Sequence, residues 1–135
     1  MATLTTHVRD SLRGTHAAGL GVTLHRIEAS GARAEVFRTV TDAGGRLRKT
    51  VPFPAAPGPA TFELAFQAAE YFARAAAGDD DSVNAAGDAV PAVAGAAAAI
   101  TEAVVRFVLA DARAARHIPV ILAPHGCSLW CSSAA

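Results

Sequence analysis

The stretch HIPVILAPHGCSLWCSS at residues 117–133 has the pattern of two strands joined by a tight turn. Its first half alternates strongly apolar residues with a more mixed set, as in a strand that has one face in a core. The strongly apolar residues are Ile118, Val120 and Leu122. The Pro-His-Gly run at 124–126 supplies the turn. His117 therefore opens a strand on the face opposite its core residues.

At 135 residues, the chain has the length of one domain and can bury a substantial core. Twelve basic and twelve acidic residues cancel, so no net charge favours nucleic acid or an anionic membrane as a partner. The longest apolar run is too short to span a bilayer. Cys127 and Cys131 lie about 13 Å apart along one predicted strand, too far to form a disulfide. Because free thiols are typical of a reducing compartment, we expect a soluble cytoplasmic protein.

The alternation of apolar and polar residues recurs along the rest of the chain. It predicts further strands over residues 4–10, 22–27, 34–41, 62–66 and about 104–111. Residues 14–19 are predicted to form a loop. Residues 52–59 are also predicted to be a loop, because their prolines cannot donate to a sheet ladder. A short helix is predicted to start at residues 70–74. Many short strands with one small helix predict an all-β fold, an antiparallel β-sandwich.

Residues 75–99 differ from the rest of the chain in composition. They are rich in alanine and glycine and carry the acidic run Asp79-Asp80-Asp81 as well as Pro91. This segment has no sustained period and little bulky apolar surface to offset the entropy of ordering it. We expect a mobile insertion, with a helical turn or two, within a single domain of residues 1–135.

Two histidines and one arginine are the candidate catalytic residues. His7 and His117 lie on the parity opposite their strands' most apolar residues, which places both imidazoles on the outer surface of a sheet. Arg46 directly follows a glycine turn at residues 42–45, which we interpret as a hairpin. A neutral imidazole can take a proton from water, and a nearby guanidinium keeps it neutral and can hold a developing oxyanion. The trio therefore suits hydrolysis of an amide or imide.

The alternative is that both histidines are ordinary solvated side chains. An exposed sheet face does not exclude water, so catalysis there requires a second subunit to cover it. The catalytic interpretation therefore predicts an oligomer with its sites at an interface.

Three motifs in this order resemble the transthyretin-like family that contains the 5-hydroxyisourate hydrolases: residues 6–10 (THVRD), residues 41–46 (TDAGGR) and residues 117–133. The resemblance implies a homotetramer whose channel between dimers is lined by His7, Arg46 and His117. It also implies that a small-molecule substrate, 5-hydroxyisourate, is opened without metal or organic cofactor. Hormone-carrying transthyretins replace these three residues, which favours an enzyme here.

The tail departs from the family pattern. Family enzymes finish with Tyr-Arg-Gly-Ser, whereas this chain has Trp130, Cys131, Ser132 and Ser133. The family's His-Tyr-His is reduced to Ala-Arg-His at residues 115–117. The resemblance makes Trp130, Cys131 and Ser133 candidates for substrate binding, with an indole reshaping the pocket.

Two other chemistries fit the residues less well. Cys131 as a nucleophile is disfavoured, because it alternates with Leu129 on the predicted inward face, where a small buried thiol is ordinary. A zinc site built from His7, His117 and His125 lacks an accompanying Cys or carboxylate at ligand spacing.

Three functions therefore stand. The first is a cofactor-free hydrolase of 5-hydroxyisourate or a closely related small cyclic amide. The second is a diverged enzyme that opens, closes or rearranges another small heterocycle, as the altered tail suggests. The third is a non-catalytic transthyretin-like binding protein.

Overall fold

The structure, a computed structural model, describes residues 1–77 and 98–133. These residues form two sheets and one helix. The strands are β1 (Ala2–Asp10), β2 (Thr15–His16), β3 (Gly21–Ile27), β4 (Arg33–Val40), β5 (Arg46–Val51), β6 (Ala60–Phe66), β7 (Ala103–Leu109), β8 (Ala115–Ala123), β9 (Gly126–Leu129) and β10 (Ser132–Ser133), and the helix α1 spans Ala68–Ala77.

The first sheet is built around β1. Strand β8 runs parallel to β1 along one edge, and β5 and β2 pair antiparallel with successive parts of its other edge. Strands β9 and β10 then pair with β8. The second sheet is antiparallel throughout, in the order β4-β3-β6-β7. The predicted antiparallel character is thus broken only at the β1–β8 pair among the described strands.

The hydrophobic core lies between the two sheets. Strands of the first sheet contribute Leu4, Val8, Ile118, Val120 and Leu122, and strands of the second contribute Val22, Leu24, Phe62, Leu64, Phe66 and Phe107. Helix α1 adds Tyr71 and Phe72, both fully buried. Burial of each such side chain contributes roughly 1.5–3 kcal/mol. The predicted inward residues of strands 4–10 and 62–66 and of the first half of 117–133, Ile118, Val120 and Leu122, are therefore confirmed.

A buried polar cluster fixes the end of β1 against α1. The Asp10 carboxylate accepts hydrogen bonds from the Tyr71 hydroxyl at 2.8 Å and from Arg13 Nε at 2.9 Å. Burial, together with the Asp10 charge, raises the pKa of Tyr71. The phenol therefore stays protonated and continues to donate to Asp10.

The glycine turn at residues 42–45 is not a hairpin, which corrects the sequence interpretation. Strand β4 belongs to the second sheet, whereas β5 pairs with β1 in the first. The turn therefore carries the chain from one sheet to the other. Gly45 has φ +69°, and a Cβ there would lie 2.4 Å from the Val8 carbonyl oxygen. Only glycine allows the turn to pass this close to β1.

Three further segments differ from the sequence prediction. The predicted loop at 14–19 contains the short strand β2, and strand β5 was not predicted. Helix α1 extends to Ala77, so the first residues of the predicted insertion are helical. Residues 78–97 of that insertion lie outside the described residues. Within the described parts of the chain, no helix is long and apolar enough to cross a membrane.

Candidate functional site

The candidate site lies on the outer face of the first sheet, where β5, β1 and β8 run side by side. His7 of β1 lies opposite Arg46 of β5, and Thr5 of β1 lies opposite His117 of β8. Because Thr5 and His7 are two residues apart, their side chains leave the same face of the sheet. The register therefore brings Arg46, His7 and His117 onto one surface.

The Thr5 hydroxyl orients the His117 ring. Thr5 Oγ1 lies 2.9 Å from His117 Nδ1, and it also lies 3.4 Å from the Arg116 carbonyl oxygen, to which it can donate. A threonine hydroxyl has one hydrogen. When that hydrogen points to the Arg116 carbonyl, Thr5 Oγ1 accepts from His117 Nδ1–H. His117 Nε2 then carries the lone pair.

A groove of about 380 Å³ lies beside Arg46 and His117, and His7 is not among the residues that line it. Its lining consists of Thr5, Thr6, Asp42, Arg46, Leu47, Arg48 and His117. The volume suits a small heterocycle rather than a large ligand. Two guanidiniums in the lining favour a substrate that carries, or develops, negative charge on oxygen.

Arg46 keeps its positive charge available to the groove. Asp42 is the carboxylate of the lining, and its Oδ1 accepts from the Gly44 and Arg46 backbone N–H groups at 2.9 Å each. Asp42 thus closes the turn. Among the described residues, no carboxylate oxygen lies within ion-pair distance of the Arg46 guanidinium.

His7 is half-buried and lies near two arginines and two other histidines. Burial lowers the pKa of His7, and the charges of Arg46, His16, Arg9 and His117 lower it further, in that order. The imidazole is therefore neutral near pH 7 and able to accept a proton. His7 Nε2 also lies 3.1 Å from His16 Nδ1.

With this geometry in view, the similarity to known proteins is informative. The sequence profile described as the HIUase/Transthyretin family matches residues 4–131. The chain belongs to the HIUase/Transthyretin family. A protein named 5-hydroxyisourate hydrolase 2, from Rhizobium meliloti (strain 1021), is 34% identical over 128 residues, which cover 94% of this chain and 92% of that protein.

Solved structures of the family agree. The structure of Klebsiella pneumoniae 5-hydroxyisourate hydrolase has a TM-score of 0.64 at 30% identity, covering 98% of this chain and 100% of that chain. Transthyretin from Sparus aurata has a TM-score of 0.73 at 16% identity, covering 98% of this chain and 97% of that chain. The transthyretin match shows the fold alone. The predicted transthyretin-like β-sandwich and the hydroxyisourate hydrolase-like enzyme class are both confirmed.

The tail residues do not line the groove. Trp130 is 54% exposed and follows the last residue of β9, and Cys131 is also exposed. The prediction that Cys131 faces inward is wrong, because the chain leaves the sheet ladder between β9 and β10 and the alternation stops there. Partial burial raises the pKa of the Cys131 thiol despite the Arg116 charge. A thiol that stays protonated is a poor nucleophile.

Ser133 lies on the face of the sheet opposite to the His117 side chain. It lies opposite Arg116, and its hydroxyl accepts from Arg116 Nη1 at 3.4 Å. The neighbouring Ser132 instead lies opposite His117, and its hydroxyl donates to the His117 carbonyl oxygen at 3.2 Å. Ser132 is therefore the tail serine nearer the candidate catalytic face.

The candidate zinc ligands are not assembled as a metal site. Within the described ranges, no three His, Cys, Asp or Glu side chains are grouped so that they could hold a metal ion. His125 is exposed in the turn between β8 and β9.

Sequence reasoning missed Thr5, His16 and Arg48. Thr5 shares the polar parity of His7, so the alternation of β1 contained a signal for it. Arg48 shares the parity of Arg46 in the same way. His16 had no local signal, because its contact with His7 exists only once β2 pairs with β1.

Proposed function

We propose that this protein hydrolyses 5-hydroxyisourate or a closely related small cyclic amide, using His7, Arg46 and His117 and no cofactor. The observation that carries the proposal is that His7, His117 and Arg46 share one face of the first sheet, where Arg46 and His117 line a groove. Among the described residues, Arg46 has no ion-pair partner. The names of the curated relatives support the same substrate.

The proposed reaction begins with a neutral imidazole. His7 takes a proton from water as the water oxygen attacks a ring carbonyl carbon. The negative charge that develops on the carbonyl oxygen faces Arg46. Collapse of this tetrahedral species breaks the ring C–N bond, and the proton held by His7 passes to the leaving nitrogen. The products are an opened ring with a carboxylate and one released proton.

His117 is assigned to substrate binding and orientation within this reaction. The Thr5 hydroxyl holds His117 Nδ1, which leaves Nε2 for a polar atom of the substrate or for the attacking water. The substrate is thereby held against the face from which water attacks. Such positioning can account for several kcal/mol of the barrier.

The groove is open in the isolated chain, so we propose that self-association completes it. A homotetramer with sites at the dimer–dimer interface would exclude water from Arg46 and His7 and strengthen their electrostatic effect. We further propose that residues 1–135 act as one domain in the cytoplasm. Light scattering coupled to size-exclusion chromatography measures the assembly state directly, and a monomer at working concentration would contradict this part.

The activity test uses 5-hydroxyisourate generated freshly by oxidation of urate. Purified protein should accelerate its disappearance, followed by ultraviolet absorbance. His117→Ala should lower kcat/KM by about 10²-fold, because the substrate loses its positioning contact. His125→Ala, in an exposed turn, is the matched control and should behave as the wild type. A wild-type protein that leaves the spontaneous decay unchanged would exclude this substrate.

The altered tail supports a second candidate, an enzyme that opens, closes or rearranges another small heterocycle. Trp130 and Cys131 stand where the enzymes of the family have Tyr and Arg, and both are exposed rather than part of the groove. Screening related cyclic amides and ureides by proton NMR separates the two candidates. Faster turnover of another ring than of 5-hydroxyisourate would favour the second, and no turnover of any ring would favour a binding protein.

A further inference from the structure

A second imidazole reaches His7 from strand β2. His7 Nε2 and His16 Nδ1 lie 3.1 Å apart, and the ring centroids are 5.1 Å apart with planes tilted by 41°. We infer that His16 is a positioning residue, which fixes the ring orientation and tautomer of His7 and makes the two imidazoles share one exchangeable proton. The inference deepens the proposed function, because it rests on His7 as the base.

The chemistry of the contact sets its protonation. A hydrogen bond between two ring nitrogens needs one nitrogen with hydrogen and the other with a lone pair. If both rings were protonated, all four nitrogens would be donors and the contact would repel. While the contact persists, the pair therefore holds at most one extra proton. The tautomer of His7 is then set by that of His16.

Backbone hydrogen bonds around His16 hold it next to His7. Strand β2 pairs with the end of β1, with His16 opposite Arg9. The Ala17 N–H donates to the Val8 carbonyl oxygen at 2.9 Å, and the Val8 N–H donates to the Gly45 carbonyl oxygen at 2.8 Å. Both β2 and the glycine turn are thereby attached to the same residue of β1, next to His7.

Gly45 shows how closely these segments pack. A Cβ at Gly45 would lie 3.0 Å from the Ala17 nitrogen and 3.3 Å from His16 Cβ, besides its clash with Val8. The turn that precedes Arg46 thus packs directly against the backbone at His16 and Ala17. The absence of a side chain at Gly45 lets Arg46 and His16 approach His7 from separate strands.

The groups that face His7 are cations or potential cations. They are Arg9 on its own strand, Arg46 on β5, His16 on β2 and His117 on β8, and any positive charge on them opposes a proton on His7. The Asp42 carboxylate on the adjoining turn accepts backbone N–H groups. A proton that His7 takes from water is therefore under repulsion, and His16 offers the nearest ring nitrogen with which to share it.

Two variants of His16 distinguish its hydrogen bond to His7 from the space that its side chain fills. His16→Asn keeps a polar atom near the place of Nδ1 but cannot be charged, whereas His16→Ala removes the partner. We expect His16→Ala to lower kcat about tenfold and His16→Asn to recover most of that loss. In His16→Ala the proton on His7 is no longer shared with a second ring, so the acid limb of the kcat/KM profile should shift. His25→Ala, on the second sheet, is the control.

A readout without substrate decides the inference independently of activity. Nitrogen-15 NMR of the histidine rings, assigned by comparison with His7→Gln, reports the tautomer and titration of His7 directly. The wild type should show one dominant His7 tautomer, and His16→Ala should show a mixture of tautomers and a shifted titration of His7. Identical His7 spectra and titrations in these two proteins would overturn the inference. A coupled pair in a protein inactive on 5-hydroxyisourate would overturn the proposed substrate and leave the coupling intact.

Discussion

The outer faces of the two sheets both carry arginines and histidine. They differ in whether those arginines form ion pairs. On the second sheet, Glu63 is 7% exposed and pairs with Arg33 at 2.7 Å and Arg106 at 2.6 Å. On the first sheet, Arg46 has no ion-pair partner among the described residues and stands opposite His7.

Size does not distinguish the two faces. A concavity of about 320 Å³ on the second sheet includes His25, Arg33 and Glu63, and the groove on the first sheet has about 380 Å³. The hydrogen bonds from Arg33 and Arg106 lower the pKa of Glu63 to about 2. That face satisfies its own charges. The first face leaves the Arg46 cation and the neutral His7 imidazole to interact with a ligand, which is why we assign the chemistry there.

Among the variants that compare the two faces, loss of Arg46 should lower kcat the most. Arg46→Gln removes the charge that faces the developing oxyanion and should lower kcat about 10²–10³-fold. Arg33→Gln is the matched variant on the second face and should stay within about twofold of the wild type, because it only weakens one surface pair. Steady-state rates on 5-hydroxyisourate measure both. Equal losses would show that the two faces do not differ as argued.

Loss of the Thr5 hydroxyl should have a smaller effect. Thr5→Val keeps the shape of the side chain but frees the His117 ring, and we expect kcat to fall about tenfold, the equivalent of one hydrogen bond. Thr23→Val places the same change on the second face and should leave kcat unaltered. A Thr5→Val enzyme with full activity would mean that His117 is oriented by other contacts.

The pH profile should respond to a more distant charge. His7 acts as a base only when deprotonated, so kcat/KM should fall as pH drops through its pKa, which lies below the ordinary 6.5. Arg9→Gln removes one of the lesser charges that lower this pKa, so the acid limb should move to higher pH with the plateau unchanged. Arg38→Gln on the second face should not move it. A limb that stays in place for Arg9→Gln would remove His7 as the titrating base.

The smallest expected effect is on stability. Glu63→Gln should cost about 1 kcal/mol near pH 7, because the arginines that pair with it are largely exposed. A carboxylate with a depressed pKa stabilises the fold above its unfolded value of 4.5, and this contribution is lost as pH falls toward about 2. Urea unfolding should therefore show the wild type converging on Glu63→Gln across that interval. Activity at neutral pH should be unchanged.

Individual residues show how far local patterns reach. The alternation of β1 and β8 correctly predicted that Leu4, Val8 and Ile118 are buried and that His7 and His117 lie on the other face. It failed at Cys131, where the ladder is interrupted. It could not show that the turn at 42–45 joins two sheets, because the turn residues are the same for a hairpin and for a crossing between sheets.

The contacts of His7 and His117 could not be predicted from local patterns, because they depend on how distant strands pair. Thr5 and His117 are 112 residues apart in the chain, and their hydrogen bond depends on the parallel pairing of β1 with β8. His16 meets His7 only because β2 pairs with the last residues of β1. Neither pairing can be deduced from the residues within either strand.

By itself, the amino-acid sequence determined which side chains face the core and which face outward, since that follows from the two-residue period of a strand. It also determined the class of fold and the residue types available for acid–base chemistry. Only the tertiary structure decided that Arg46, His7, His16 and His117 meet. Strand order and register depend on the packing of the whole core, and each site contact crosses a boundary between strands that no local pattern specifies.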